Sequence, residues 1–90
     1  MVLLIIQMET VKKIYCVDRR EINYLKVIIE SYDGMALVRT IDPYQALIEV
    51  EISPGCENIA SMLLESLREE ENIKLEPFYK VTQITTRNGL

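Results

Sequence analysis

A hairpin in the middle of the chain constrains the fold most strongly. Residues 35–41 and 46–52 are rich in β-branched and apolar side chains, and the turn-forming residues 42–45, which begin Asp-Pro, separate them. In the second run the even-numbered positions are apolar, while Glu49 and Glu51 lie between them, so one strand face should be buried. Segments with helical periodicity precede and follow this hairpin, so two helices must pack against one sheet.

The segment before the hairpin predicts a strand followed by a helix. Residues 11–17 are β-branched and aromatic, which favours a strand. Asp18 and Glu21 then form a capping-box pattern, so a helix should begin at Arg19. Its apolar positions share one face, which we expect to be the core side: Ile22, Leu25, Ile28, Ile29 and Tyr32. Asp33 and Gly34 should end the helix.

The segment after the hairpin predicts a second helix and a short strand. Residues 53–56, Ser-Pro-Gly-Cys, break the strand, and apolar spacing then becomes helical. We expect the core face of this helix to consist of Ile59, Met62, Leu63, Ser66 and Leu67, and Leu64 to lie off this face, uncovered. Residues 73–75, and onward towards Phe78, predict a last strand, which Pro77 confines to an edge.

This order predicts an α+β fold, the ferredoxin-like βαββαβ sandwich: a four-stranded antiparallel sheet with two helices on one face. The first and third strands should be central, and we expect them to be parallel. Ninety residues correspond to a single domain over 1–90. Its core should span about residues 11–80, with residues 1–8 and 81–90 peripheral or forming extra edge strands.

Composition excludes several functions. The chain has a net charge of −4, which disfavours nucleic acid as a partner. It has no His and only two Cys, far apart, so we expect no metal, no cofactor and no catalytic residues. No apolar run is long enough for a membrane span, and the apolar residues 2–6 lack the features of a targeting segment. We therefore expect a cytoplasmic protein that is not an enzyme.

Several short motifs carry a family resemblance. They are Val-Asp-Arg-Arg-Glu-Ile, Tyr-Leu-Lys, Tyr-Asp-Gly-Met-Ala, Thr-Ile-Asp-Pro and Ile-Ser-Pro-Gly-Cys-Glu, all between Lys13 and Phe78. This stretch resembles a family of short bacterial domains of unknown function. The predicted layout is also similar to that of ACT-type regulatory domains, which bind amino acids or other small ligands at dimer interfaces. That likeness implies a small-molecule sensor. ACT domains have a Gly after the first strand, where this chain has residues 18–21, Asp-Arg-Arg-Glu.

Two loops form a candidate anion site. We expect the loops after the two central strands to lie side by side, each leading into a helix N-terminus that favours anions. Arg19 and Arg20 from the first loop, with Gly55 and Cys56 from the second, would then bind a small anionic metabolite. The same field would lower the pKa of the Cys56 thiol. The alternative is that these are ordinary turn and surface residues.

The open sheet face is the candidate interface. We expect Ile14 and Cys16 to face the helices, so that Tyr15, Val17, Leu37 and Leu47 line the open face. This is more apolar area than such a face should show to water, so we expect a homo-oligomer, most simply a homodimer. Tyr24 and Val27 also lie off the core face of the first helix, but we favour the sheet face or an edge strand. The leading hypothesis is a non-catalytic interaction or regulatory module that self-associates, and the alternative is the ACT-like sensor.

Overall fold

The computed structural model of the protein describes residues 10–78. The chain order is strand β1, a short 3-10 turn, helix α1, strands β2 and β3, helix α2 and strand β4. Their bounds are β1 Val11–Val17, the turn Arg19–Glu21, α1 Ile22–Glu30, β2 Ala36–Asp42, β3 Leu47–Ile52, α2 Glu57–Glu70 and β4 Leu75–Pro77. The predicted elements are therefore present, although the first helix is a 3-10 turn at Arg19–Glu21 and becomes α-helical only at Ile22, and the second begins two residues before Ile59.

The four strands form one antiparallel sheet in the order β2-β3-β1-β4. The buried residues of both helices belong to one core cluster together with side chains from a single face of the sheet. Both helices therefore pack on that face, and no helix or strand within residues 10–78 covers the other, which we call the open face. This confirms the predicted α+β fold, which is consistent with the ferredoxin-like sandwich.

The predicted direction of the central strands is wrong. β1 and β3 are central, but they pair antiparallel, with Val11 opposite Ile52 and Cys16 opposite Leu47. The crossover through α1 makes β2 parallel to β1, and the hairpin then reverses the chain, so β3 must run opposite to β1. The two helices consequently run in opposite directions across the sheet.

The face assigned to β1 is also wrong. Tyr15 and Val17 are buried in the core cluster, whereas Ile14 and Cys16 are only half-buried. Tyr15 pairs with Ile48, whose side chain is fully buried on the helix side, and directly opposed residues share a face. The alternation in β1 is weak, because Val11, Ile14, Tyr15, Cys16 and Val17 supply apolar side chains to both faces.

The core face of α2 is rotated from the predicted one. Ala60, Leu64 and Leu67 are its buried residues, and Leu63 is half-buried. Ile59 and Met62, expected in the core, are exposed, and so is Tyr32 beyond the end of α1. The spacing alone fits either face, since the helix carries apolar residues around much of its circumference.

Local turn chemistry agrees with the sequence. Asp18 Oδ1 accepts a hydrogen bond from the backbone N–H of Arg20 at 3.0 Å, so the predicted N-cap is confirmed. Gly34 follows the end of α1 with φ of +73°, a left-handed conformation that glycine adopts without strain. The peripheral strands expected within residues 1–8 and 81–90 lie outside the described residues. Neither helix within residues 10–78 has the length and apolar composition of a membrane span.

Candidate functional site

The two halves of the predicted anion site lie at opposite ends of the sheet. Arg19 and Arg20 follow Val17, at one end of β1, whereas Gly55 and Cys56 follow Ile52, which pairs with Val11 at the other end. Six residue steps of a strand separate these ends, a distance of about 20 Å. The expected pairing of the loops is therefore wrong, and its cause is the antiparallel direction of β1 and β3.

At the first end, the arginines contact groups of the protein itself. Arg20 Nη2 lies 3.2 Å from Asp18 Oδ2, and Arg19 Nη2 donates to the carbonyl oxygen of Tyr44 at 3.4 Å. The hydrogen bonds from the Arg20 side chain and backbone hold the pKa of Asp18 below its ordinary value, and the same carboxylate raises the pKa of Arg20. At this end of the sheet, both arginine side chains are therefore bonded to acceptors within the protein.

At the other end of the sheet, the loop before α2 is hydrogen-bonded to the segment between α1 and β2. Ser53 Oγ donates to the carbonyl oxygen of Gly34 at 2.6 Å, and the Ser53 N–H donates to Met35 at 2.9 Å. Cys56 is half-buried and packs against the core. Both cysteines are free thiols, and Cys16 Sγ lies 3.6 Å from the Gln45 carbonyl oxygen, at the opposite end of the sheet.

The open sheet face is largely polar. Of the four predicted interface residues, Tyr15 and Val17 belong to the core, and Leu47 is on the open face but only 5% exposed. Leu37 remains exposed, at 63%. Beside it, Arg39 Nη2 bonds Glu49 Oε1 at 2.7 Å across the β2–β3 pair. The excess of open apolar surface expected on this face is therefore reduced to Leu37.

The exposed apolar side chains concentrate instead on the helices. Val27 of α1 is 57% exposed, and on α2 Ile59 is 56% and Met62 72% exposed. Tyr24 is 40% exposed, and its hydroxyl donates to Glu71 Oε1, beyond the C-terminus of α2, at 2.7 Å. That contact places Tyr24 beside the C-terminal end of α2, whereas Ile59 lies in its first turn, about 18 Å away along the helix axis. We call Ile59 and Met62, which are one turn apart on α2, the helix-layer patch.

A third feature is the outer edge of β2. The N–H of Val38 donates to Glu30 Oε2 at 2.8 Å, and Lys26 Nζ donates to the Val38 carbonyl oxygen at 3.3 Å. Lys26 and Glu30 form an i,i+4 ion pair on α1, 3.1 Å apart. The hydrogen bond from the Val38 N–H is the main reason that the pKa of Glu30 lies below its ordinary value, and Lys26 lowers that pKa further.

Metal-ligand clusters and buried charged side chains are absent from the part of the chain that the structure describes. Within residues 10–78 no three His, Cys, Asp or Glu side chains cluster as metal ligands. No charged or polar side chain in this part of the chain is buried.

Sequence reasoning missed Ile59 and Met62. One signal was available: α2 carries Ile59, Ala60, Met62, Leu63, Leu64 and Leu67 within fourteen residues, more apolar side chains than one sheet-facing stripe uses. Ala60, which was not among the predicted core residues, is small, and a small residue lets a helix approach a sheet closely. A core face centred on Ala60 and Leu64 places Met62 on the solvent side of the helix.

Comparison with known proteins gives one finding. No curated protein and no solved structure matches the chain. A family model, described as Domain of unknown function (DUF4911), matches residues 15–70. The match begins within β1 and extends to the end of α2, so it includes the hairpin, both helices and the helix-layer patch. The chain belongs to the DUF4911 family.

Proposed function

We propose that this chain is a non-catalytic, cytoplasmic interaction module that forms a homodimer through its helix-layer patch. The observation that carries the proposal is the exposure of Ile59 and Met62, 56% and 72%, on a helix whose other apolar residues are buried or half-buried. Large exposed apolar side chains that lie together mark association surfaces more often than single ones do. Self-association was expected from the sequence on the sheet face, and the helix layer now supports it better.

The helix dipole and the position of Met62 favour an antiparallel arrangement of a second copy. The C-terminal half of α2 carries Glu65, Glu69 and Glu70, close to the negative end of its own helix dipole. A two-fold axis near Met62 would place these glutamates beside the N-terminal turn of the other copy's α2, where the dipole is positive. The same axis would bring the two Met62 side chains together. An isologous interface of this kind has an apolar centre, and Glu57 in the first turn of α2 adds a carboxylate at its rim.

Size gives a reason for such a dimer to be stable. A domain of this length buries only about 60–65% of the surface of its unfolded chain, so its own core is limited. Each additional Å² of apolar surface removed from water contributes about 25 cal/mol. Methionine also adapts its shape to an opposing surface better than branched residues do. Burial of Met62 and Ile59 would thus add to a small core.

The electrostatics of the carboxylates support a non-catalytic role. The pKa shifts that the structure shows for Asp18 and Glu30 are both downward, because each accepts hydrogen bonds from N–H groups. Both groups are therefore ionised at neutral pH and engaged with the protein. A general acid would need a carboxyl with a raised pKa facing a cleft.

The test is the oligomeric state of two matched variants. Met62→Glu and Leu37→Glu each place a charge at an exposed apolar position, on the helix layer and the open sheet face respectively. Sedimentation of the wild type at tens of micromolar, on the order of working concentrations for modest interfaces, should show a dimer. Met62→Glu should be a monomer, and Leu37→Glu should remain a dimer.

The outcomes separate the two surfaces. Dissociation by Leu37→Glu alone would return the interface to the sheet face, and a monomeric wild type would overturn self-association altogether. Because both positions are exposed, each variant should retain the circular dichroism spectrum of the wild type. A dimer that withstands both substitutions would also contradict the proposed surface.

A further inference from the structure

β2 is an outermost strand, and its free edge is a potential pairing surface. Among residues 10–78, where the strand order is β2-β3-β1-β4, only one side of β2 is hydrogen-bonded to a neighbouring strand. A strand of seven residues at an edge presents backbone N–H and C=O groups that can pair with another chain. Native proteins usually obstruct such edges with charge, distortion or a covering segment.

Val38 shows how this edge is obstructed. Its N–H and its carbonyl group both point away from β3, since they contact Glu30 and Lys26 of α1. Glu30 accepts at 2.8 Å and Lys26 donates at 3.3 Å, as the carbonyl and N–H of an added strand would do. The two side chains are bonded to each other at 3.1 Å, so each holds the other in place.

The position of Val38 makes this contact effective. In an antiparallel pair of β2 strands related by a two-fold axis through Val38, the two Val38 residues would exchange both of their hydrogen bonds. Those are the groups that Glu30 and Lys26 occupy. On the open face, such a pair would bring Leu37 of one copy opposite Arg39 of the other, and cover the exposed Leu37.

We propose that the Lys26–Glu30 pair closes the β2 edge to strand addition, and that the edge is a latent pairing surface for β2 of a second copy. This inference does not depend on the helix-layer dimer, because it concerns the β2 edge and the flank of α1 that carries Lys26 and Glu30. Its consequence is specific: the two side chains prevent the sheets of two copies from pairing through β2.

The experiment removes the pair in a background that excludes the helix-layer interface. Lys26→Ala with Glu30→Ala, in the Met62→Glu chain, frees both backbone groups of Val38 and keeps good helix formers in α1. Sedimentation should show association that increases with concentration, which the Met62→Glu chain alone does not show. Arg39→Ala in the same background is the matched control, since it removes an ion pair on β2 without freeing the edge.

A reversal and an amide measurement complete the test. Adding Leu37→Lys to the double variant sets Lys opposite Arg39 in the proposed pair, and should restore the monomer. Amide hydrogen exchange at Val38 should be slowed at least ~10-fold in the wild type, and should be faster in monomeric Glu30→Ala. The proposal would be overturned if the Lys26→Ala, Glu30→Ala chain folds but stays monomeric. It would also be overturned if adding Leu37→Lys leaves the association intact, or if the Val38 amide of the wild type is unprotected.

Discussion

On the open sheet face Arg39 and Glu49 are bonded at 2.7 Å and Leu47 is buried, whereas on the helix layer Val27, Ile59 and Met62 project into solvent. The two surfaces belong to one small domain, and they differ in how completely their side chains are satisfied by neighbours within it. Directly opposed residues of a sheet are close enough to pair with one another. Side chains on the outside of two helices lack such neighbours.

This difference shows why apolar composition alone is a poor guide to an interface. The sheet face has Leu37, Leu47, Ile14 and Cys16, yet of these only Leu37 is well exposed. The helix layer has apolar residues that its own core leaves uncovered. A surface available for association is one that internal contacts leave incomplete.

The largest expected effect compares leucines that are equally hidden on the two sides of the sheet. Leu67 is 1% exposed within the core cluster, and Leu47 is 5% exposed but lies on the open face, outside that cluster. Leu67→Ala should lower the free energy of unfolding by about 2–5 kcal/mol, because it leaves a cavity between α2 and the sheet. Leu47→Ala should cost less by about 1 kcal/mol or more, since its surroundings can adjust more readily.

Urea denaturation of the two variants under identical conditions gives both values. Unchanged slopes of free energy against urea would show that the difference lies in the native state. Equal losses for Leu67→Ala and Leu47→Ala would mean that the open face is packed as tightly as the core, and would break the comparison.

An intermediate effect on stability is expected when acid protonates Glu30, which lies between the open sheet face and the helix layer. The Val38 N–H and Lys26 hold the pKa of Glu30 below its ordinary value of 4.5. A lowered pKa in the folded state contributes stability above the unfolded value, and that contribution is lost as the pH falls through the folded value. The melting temperature of the wild type should therefore fall below about pH 4.5, the unfolded value.

Glu30→Gln should remove part of this loss of stability in acid. The part removed should be on the order of 1 kcal/mol, the size expected for a partly solvated hydrogen bond to a charged group. Arg39, Glu49 and Glu51 line the same depression at the β2 edge, so they remain in place for the comparison. Glu65→Gln, on the outer face of α2, is the control. Parallel profiles for the wild type and Glu30→Gln would contradict the assigned role of Glu30.

The sequence predicted what depends on local chemistry and strict alternation. The turn at Asp42 and Pro43, the Asp18 cap, and the buried face of β3 follow from residues that act on their immediate neighbours. In β3 the glutamates at 49 and 51 mark the wet face, so the assignment of Ile48, Val50 and Ile52 to the core is confirmed.

The rest depended on relations between elements. β1 has apolar residues on both faces, so only its register with β3 decides that Tyr15 is inside and Ile14 partly outside. In α2 the choice between Met62 and Leu64 depends on how closely the helix approaches the sheet. The anion site failed for one topological reason, since a single strand direction determines whether Arg19 and Cys56 meet. The Lys26–Glu30 contact with Val38 joins residues from two elements that no local pattern connects.

The smallest expected effect tests the ion pair that distinguishes the open sheet face. Arg39 is 70% exposed in its side chain and Glu49 only 12%, so the pair is partly desolvated on one side. A double-mutant cycle with Arg39→Ala and Glu49→Ala should give a coupling of about 0.5–1 kcal/mol, the upper range for a surface pair. Arg39→Ala should be the costlier single change, because it leaves the enclosed carboxylate without its partner. The coupling should shrink in high salt, since one partner is exposed. A coupling near zero would show that Glu49 is held by packing rather than by Arg39. The ion pair on this face would then contribute nothing to the free energy of unfolding.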